Sequence, residues 1–194
     1  MLPAMVEEPD DNTLMIRYRD GELAAFDILY SRHKGPLYRY FLRQGMNRDT
    51  AAEVFQEVWI KIIRAKDRYR STAKFTTYMY QLAHNCFIDH VRVQRRTPPA
   101  NRGAAAVDPS EIAGRAMDNP GNCAEQAESL ERFRQALAGL PVEQREAFVL
   151  REESGLSLAD IAAVTGVTPE TAKSRLRYAV NKLRIMLSDM ETSA

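Results

Sequence analysis

Four residues in one short stretch, His84, Cys86, Asp89 and His90, are of types that ligate metals or move protons. On a helix Cys86 and His90 lie four apart and share a face, the spacing of a paired ligand set. No third ligand accompanies them, whereas a structural zinc site takes four and a catalytic one at least three. No glycine-rich phosphate loop follows either. Asp89 and His90 are therefore assigned to local structure and backbone contacts. The second cysteine, Cys123, is distant and no CxxC occurs, so a disulfide framework and a Cys-rich zinc site are excluded. A redox role for Cys86 or Cys123 needs an exposed, activated thiol; both are read as inert. The expectation is a chain with no catalytic residue, no metal and no cofactor.

A second constellation suits nucleic acid. Tyr69 to Arg96 interleaves aromatic rings, amides and cations. Aromatic faces stack on unpaired bases while Arg and Lys hold phosphates, which is what a protein that opens duplex DNA requires. Phe75, Met79 and Leu82 are assigned to the core. Tyr78, Tyr80 and Asn85 are left as candidates to touch bases, Asn85 because its amide both donates and accepts. Arg92, Arg95 and Arg96 suit phosphates, and they equally suit the negative end of a helix dipole.

The third constellation is a helix-turn-helix over residues 157–178. Ser157-Leu-Ala-Asp160 reads as a capping box, and Gly166 supplies a positive φ for the turn. Thr168-Pro169-Glu170 opens the second helix as N-cap, first residue and first-turn acid. Ala172, Leu176, Ala179 and Leu183 take the core side. Thr171, Lys173, Ser174, Arg175, Arg177 and Tyr178 are left outside, where the second helix of this motif enters the major groove and Arg or Lys can pair with guanine. Thr168 and Glu170, at the helix start, belong to the same candidate surface, since a helix N-terminus can also take a phosphate.

The rest of the chain must position these residues. Its 194 residues suffice for one large or two small domains. Apolar periodicity is helical throughout, so the predicted fold is all-α: two small helical domains on a flexible linker. The series Leu23, Phe26, Tyr30, His33, Leu37, Tyr40 predicts a long helix kinked or split at Pro36 and ended by Gly45. Ala51, Phe55, Val58, Ile62 and Ala65 mark the next. A loop from Asp67 to Ala73 leads to a third long helix over about 75–93. Residues 1–22 form an acidic N-terminal segment and 23–96 the first domain. Residues 97–125, rich in Pro, Gly and Ala, form the linker, with a short helix possible near Ile112–Met117. Residues 126–187 form the second domain and 188–194 a tail.

Net charge is +1, but residues 23–96 carry fourteen Lys/Arg against six Asp/Glu, and residues 126–167 carry four against seven. Basic blocks suit a polyanion and acidic faces a protein partner; ordinary solvated surface explains charge alone as well. There is no run of about eighteen apolar residues. The acidic N-terminus lacks signal-peptide character. A cytoplasmic location without membrane insertion is expected.

Two ordered blocks carry a resemblance. Residues 24–96 resemble region 2 of the extracytoplasmic-function (ECF) sigma factors of the sigma-70 family. The matching stretches are Phe26-Asp-Ile-Leu-Tyr, Leu37-Tyr-Arg-Tyr, Glu53-Val-Phe-Gln-Glu-Val-Trp and Phe75 to His90. Residues 126–187 resemble region 4, through Leu140-Pro141, Arg145-Glu-Ala-Phe, Leu156 to Ala162 and Thr171-Ala-Lys-Ser-Arg-Leu. The resemblance implies a non-enzymatic RNA polymerase subunit for promoter-specific initiation in a stress or envelope response. Glu53, Gln56, Glu57, Val58 and Trp59 would dock on the clamp of the largest polymerase subunit, and region 4 would meet the flap of the second largest. The Phe75–Arg96 helix would read and melt the minus-10 element, with Asn85 at the edge of a loop that pockets a flipped base. The Thr168–Tyr178 helix would read the minus-35 element. An anti-sigma factor is an implied partner. Ala52 stands where the family often has an acid, Tyr78 where Trp is common, Gln81 where a base is common and Ala172 where Val is usual. The alternative reading is a two-domain helix-turn-helix regulator that binds DNA without polymerase.

Overall fold

A computed structural model describes residues 9–96 and 120–192, with side chains for 9–94 and 128–188. Among the described residues every regular element is helical, as the periodicity predicts. The first unit is α1 (Asp11–Arg19), α2 (Leu23–Arg43), α3 (Arg48–Ala65), a 3-10 turn (Lys66–Arg68) and α4 (Phe75–Arg96). The second is α5 (Pro120–Ala138), α6 (Val142–Ser154), α7 (Leu158–Thr165) and α8 (Pro169–Thr192).

Helix α1 lies inside the stretch read only as acidic. Asp10 caps it, accepting the amides of Asn12 and Thr13, and it buries Leu14, Met15 and Tyr18. Helix α2 runs unbroken through Pro36. Proline removes one backbone hydrogen bond, but burial of Leu37, Tyr40 and Phe41 just beyond it holds the helix together. The buried face of α2 is Ala25, Leu29, Leu37, Tyr40 and Phe41, so Leu37 and Tyr40 of the predicted series are core, whereas its first half, through Leu23 and Tyr30, lies one step round the helix. Leu23 is in fact 71% exposed. Asn47 caps α3 by accepting the Thr50 amide at 2.8 Å.

The core of the first unit is aromatic around Trp59. Phe26 meets it edge-on at 5.6 Å, Tyr30 at 5.0 Å, and Tyr18 lies 4.8 Å from Phe26. In the second unit Ala136, Leu137 and Leu140 of α5 and its following turn pack on Ala179 and Leu183 of α8. Helix α5 begins at Pro120, within the stretch read as linker. The suggested short helix at 112–117 and the intervening residues 97–119 lie outside the described residues.

Candidate nucleic-acid interface

Helix α4 divides into faces. Phe75, Met79, Ala83, Cys86 and Phe87 are buried. Asn85, Asp89 and Arg92 are exposed along another side. Asn85 lies in the middle of a continuous helix and borders no loop, unlike the resemblance-based expectation. Arg92 stands 3.7 Å from Asp89 one turn back. Arg95 and Arg96 belong to the last turn of α4, and their side chains lie outside the described residues.

The loop before α4 is held by α1, a link that sequence reasoning missed. Asn12 Nδ2 donates to the Ala73 carbonyl at 3.2 Å. Its Oδ1 accepts the Phe75 amide at 2.6 Å and the Tyr69 hydroxyl at 3.2 Å. One side chain thus caps the start of α4 and fixes both ends of the loop, leaving Arg70, Ser71, Thr72 and Lys74 exposed. Tyr78 is half-buried, 5.4 Å from Tyr69 in an edge contact. Tyr80 is a correction to the sequence reading: it is 1% exposed, meets Tyr40 at 5.5 Å, and burial pushes its hydroxyl up to about 12. In this arrangement it reaches no base.

Cys86 lies in the core of the first unit. The thiol is buried, burial pushes its pKa up despite the hydrogen bond from Lys61 Nζ at 3.2 Å, and a thiol is a poor nucleophile in that state. No group of three or more candidate ligands gathers among the described residues. The side chain of Cys123 lies outside the described residues.

Helix α3 presents Glu53, Gln56 and Glu57 to solvent. Val58 and Trp59 are a second correction. They are 0% and 4% exposed and belong to the core, Trp59 against Phe26 and Tyr30 of α2. Their place on the outer stripe is taken by Ile60 and Ile63, 44% and 41% exposed, which the sequence reading did not single out. Positions 53, 56, 57, 60 and 63 follow helical spacing and make one acidic, amide-bearing and apolar face.

The helix-turn-helix forms as its caps dictate. Ser157 Oγ accepts the Asp160 amide at 3.1 Å while Asp160 accepts the Ser157 amide at 3.3 Å. Gly166 ends α7 at φ 67°, a left-handed conformation that costs a residue with Cβ. Thr168 Oγ1 accepts the Thr171 amide at 3.2 Å and starts α8. Ala172 and Ala179 are fully buried. Thr168, Glu170, Thr171, Lys173, Arg177 and Tyr178 are exposed, and Ser174 and Arg175 are half-buried. The Arg177 guanidinium lies 5.2 Å from the Tyr178 ring centre, which steadies both.

The "Sigma-70 region 2" family model matches residues 29–97, and the "Sigma-70, region 4" model matches residues 130–183. The chain is 30% identical over 178 residues to RNA polymerase sigma factor CarQ of Myxococcus xanthus, covering 91% of this chain and 97% of that one. This chain is an ECF sigma factor of the sigma-70 family. It is also 30% identical over 175 residues to the ECF RNA polymerase sigma-E factor of Escherichia coli K12, covering 89% and 91% of the two chains. In fold it is similar to CnrH, solved in complex with the cytosolic domain of CnrY, at TM-score 0.68 and 22% identity over 92% of this chain and 97% of that one. RpoE of Bartonella quintana, solved with the anti-sigma factor NepR, gives TM-score 0.68 and 22% identity over 84% and 96%. As a sigma factor, the chain serves transcription initiation by RNA polymerase at promoters. No described helix is long and apolar enough to cross a membrane.

Proposed function

We propose a division of labour within this sigma factor. The α3 face of Glu53, Gln56, Glu57, Ile60 and Ile63 docks on the polymerase clamp. The loop 70–74 and the exposed side of α4, with Asn85, Arg92, Arg95 and Arg96, read and open the minus-10 element. The start of α8, with Lys173 and Arg177 foremost, reads the minus-35 element, and region 4 meets the polymerase flap. The chain acts without catalysing a reaction of its own, in the cytoplasm, under an anti-sigma factor and in a stress or envelope response. RpoE of Bartonella quintana, solved with the anti-sigma factor NepR, supports the anti-sigma partner by likeness of fold.

One observation carries the reading: a single chain presents two separate helices whose exposed faces combine cations with amide or hydroxyl groups, beside a third face suited to a protein. A stand-alone regulator needs only the helix-turn-helix. The experiment is transcription in vitro from pooled genomic fragments of the source bacterium, with purified core polymerase. Defined start sites should appear only when the chain and core are both present. Tight, specific duplex binding by the chain alone, with no new start sites, would favour the stand-alone regulator.

A further inference from the structure

The loop before α4 takes its shape from one side chain of α1. Asn12 Nδ2 donates to the Ala73 carbonyl at 3.2 Å, and Oδ1 accepts the Phe75 amide at 2.6 Å and the Tyr69 hydroxyl at 3.2 Å. A backbone N–H only donates and a carbonyl only accepts, so these partners fix which way the amide turns. Between the anchors the loop supports itself sparingly. The Thr72 amide donates to the Arg70 carbonyl at 2.8 Å and Arg70 Nη1 to the Tyr69 carbonyl at 3.2 Å, both within the same short stretch. Lys74 pairs with Asp160 of α7 at 3.2 Å, but through its long side chain and not its backbone. Residues Arg70 to Lys74 are all exposed.

The mount of Asn12 is firm by contrast. Asp10 caps α1, and Leu14 and Met15 are 1% and 0% exposed. Asp11 accepts from Arg32 Nη1 at 2.9 Å and stands 2.6 Å from His33 Nε2, while Arg32 also donates to the Pro9 carbonyl at 2.8 Å. The first turn of α1 is thereby tied to α2. His33 in turn lies 5.5 Å from the Phe75 ring, where α4 begins. Tyr69, the third partner of Asn12, is 5% exposed and meets the Tyr78 ring edge-on at 5.4 Å. A group that reads a base must be held to within about 0.5 Å, and side chains on rigid elements reach that precision where exposed loops do not. Asn12 lends the loop the precision of the helices.

We propose that Asn12 is a positioning residue for minus-10 reading. It lies before the residues 29–97 matched to region 2, and it acts through the loop rather than on the DNA. It holds 70–74 and, by way of Tyr69, the Tyr78 ring in the one arrangement that prefers one base over the others. This rests on the reading of that loop and α4 as the minus-10 reader. The amide suits the task because it donates and accepts at once. A carboxylate at position 12 would still accept from Phe75 and Tyr69 but would set an acceptor against the Ala73 carbonyl, freeing one end of the loop. Alanine would free both ends. Neither change touches the Asp10 cap, and an acid in the first turn favours the helix.

The test uses the full chain with purified core polymerase and a promoter library randomised across the minus-10 element. Wild type, Asn12→Ala, Asn12→Asp and a loop variant, Arg70→Ala with Ser71→Ala and Thr72→Ala, are compared for base preference by sequencing the transcribed templates. Core binding and amide hydrogen exchange are measured on the same proteins. Asn12→Ala should bind core within twofold of wild type, exchange the Phe75 amide faster, and lose roughly fivefold or more of the preference at one minus-10 position, the low end of one base contact. Asn12→Asp should fall between it and wild type. If Asn12→Ala fails to fold, Asn12→Asp decides alone. A uniform loss of transcript with the wild-type preference intact makes Asn12 merely structural and overturns the proposal. So does a wild-type profile in the Asn12 variants while the loop variant changes preference. If the loop variant also keeps the wild-type profile, the loop reads no base, and the minus-10 reading of 70–74 falls together with this proposal.

Discussion

The exposed face of α3 can be tested quantitatively. Full burial of an isoleucine side chain is worth ~1.5–3 kcal/mol. Ile60 is 44% exposed and Ile63 41%. Covering what remains open at either one would therefore contribute roughly 0.7–1.3 kcal/mol, about threefold to ninefold in Kd. Glu57 also pairs with Lys61 at 2.8 Å, with side chains 52% and 40% exposed. Such a surface pair adds only ~0.3–0.5 kcal/mol to helix stability. Replacing Gln56 and Glu57 by Ala should change folding stability little, since exposed sites cost within about 0.5 kcal/mol each and Ala favours helix, whereas Ile60→Ala and Ile63→Ala also lose the covered part of each side chain, roughly 0.8–1.8 kcal/mol apiece on the same scale. The two isoleucines alone should weaken core binding by about tenfold or more. The assay is competition for core polymerase followed by fluorescence anisotropy, with circular dichroism as the folding control. A Kd within twofold of wild type, with the fold intact, would refute the docking face. Trp59→Ala is the contrast, expected to cost ~3–5 kcal/mol of stability because the ring is core.

Asn85→Ala should leave core binding and stability unchanged but weaken open-complex formation by ~1–3 kcal/mol, read by permanganate footprinting; a pre-opened heteroduplex promoter should recover only the melting part. On a randomised minus-35 library, a base-reading Lys173 or Arg177 changed to Ala should relax preference at one position, while a phosphate-holding one should weaken all promoters and lower the salt slope by about one unit. Leu14→Ala should cost ~2–5 kcal/mol in thermal or urea unfolding, because its side chain is 1% exposed. Asp11 is held below its ordinary value of 3.8 by its hydrogen bond to His33, with Arg32 adding to it against burial. A lowered folded pKa gives stability that is present above that value and lost as pH falls through the folded one. Acid titration of wild type should show that loss below about pH 4, and Asp11→Asn should lack it.

The local chemistry of the second unit was legible because its signals are local. Ser157 with Asp160, Gly166, and Thr168 before Pro169 each satisfy backbone groups within four residues, so their spacing alone specifies the turn and both helix starts. Helix α1 was missed because Leu14 and Met15 are adjacent and Tyr18 follows among charges, which makes a weak stripe. The Asp10 cap was the available signal. The first half of the α2 face was misplaced by one step because Phe26 and Tyr30 are aromatic yet only lean on Trp59, while Leu29 carries the burial; Leu37 and Tyr40 of the same series are core. The same preference for aromatics put Trp59 on the docking face, when a ring in contact with three others is core. The contact between the units was not readable at all. Tyr40 and Glu146 are 106 residues apart, Arg39 and Glu153 114, and Arg, Glu, His and Gln ordinarily read as surface. Only the alternation of basic and acidic blocks hinted that one part of the chain complements another.

We propose that one chain reads two promoter elements, and does so through polymerase. The direct measurement is selection from a DNA library with two randomised blocks separated by a spacer of varied length, with and without core enzyme. Two-element reading through polymerase should enrich both blocks together, at one preferred spacing of about 85 Å along the helix axis, and only with core present. Enrichment of a single block by the chain alone, indifferent to spacing and to core, would contradict it.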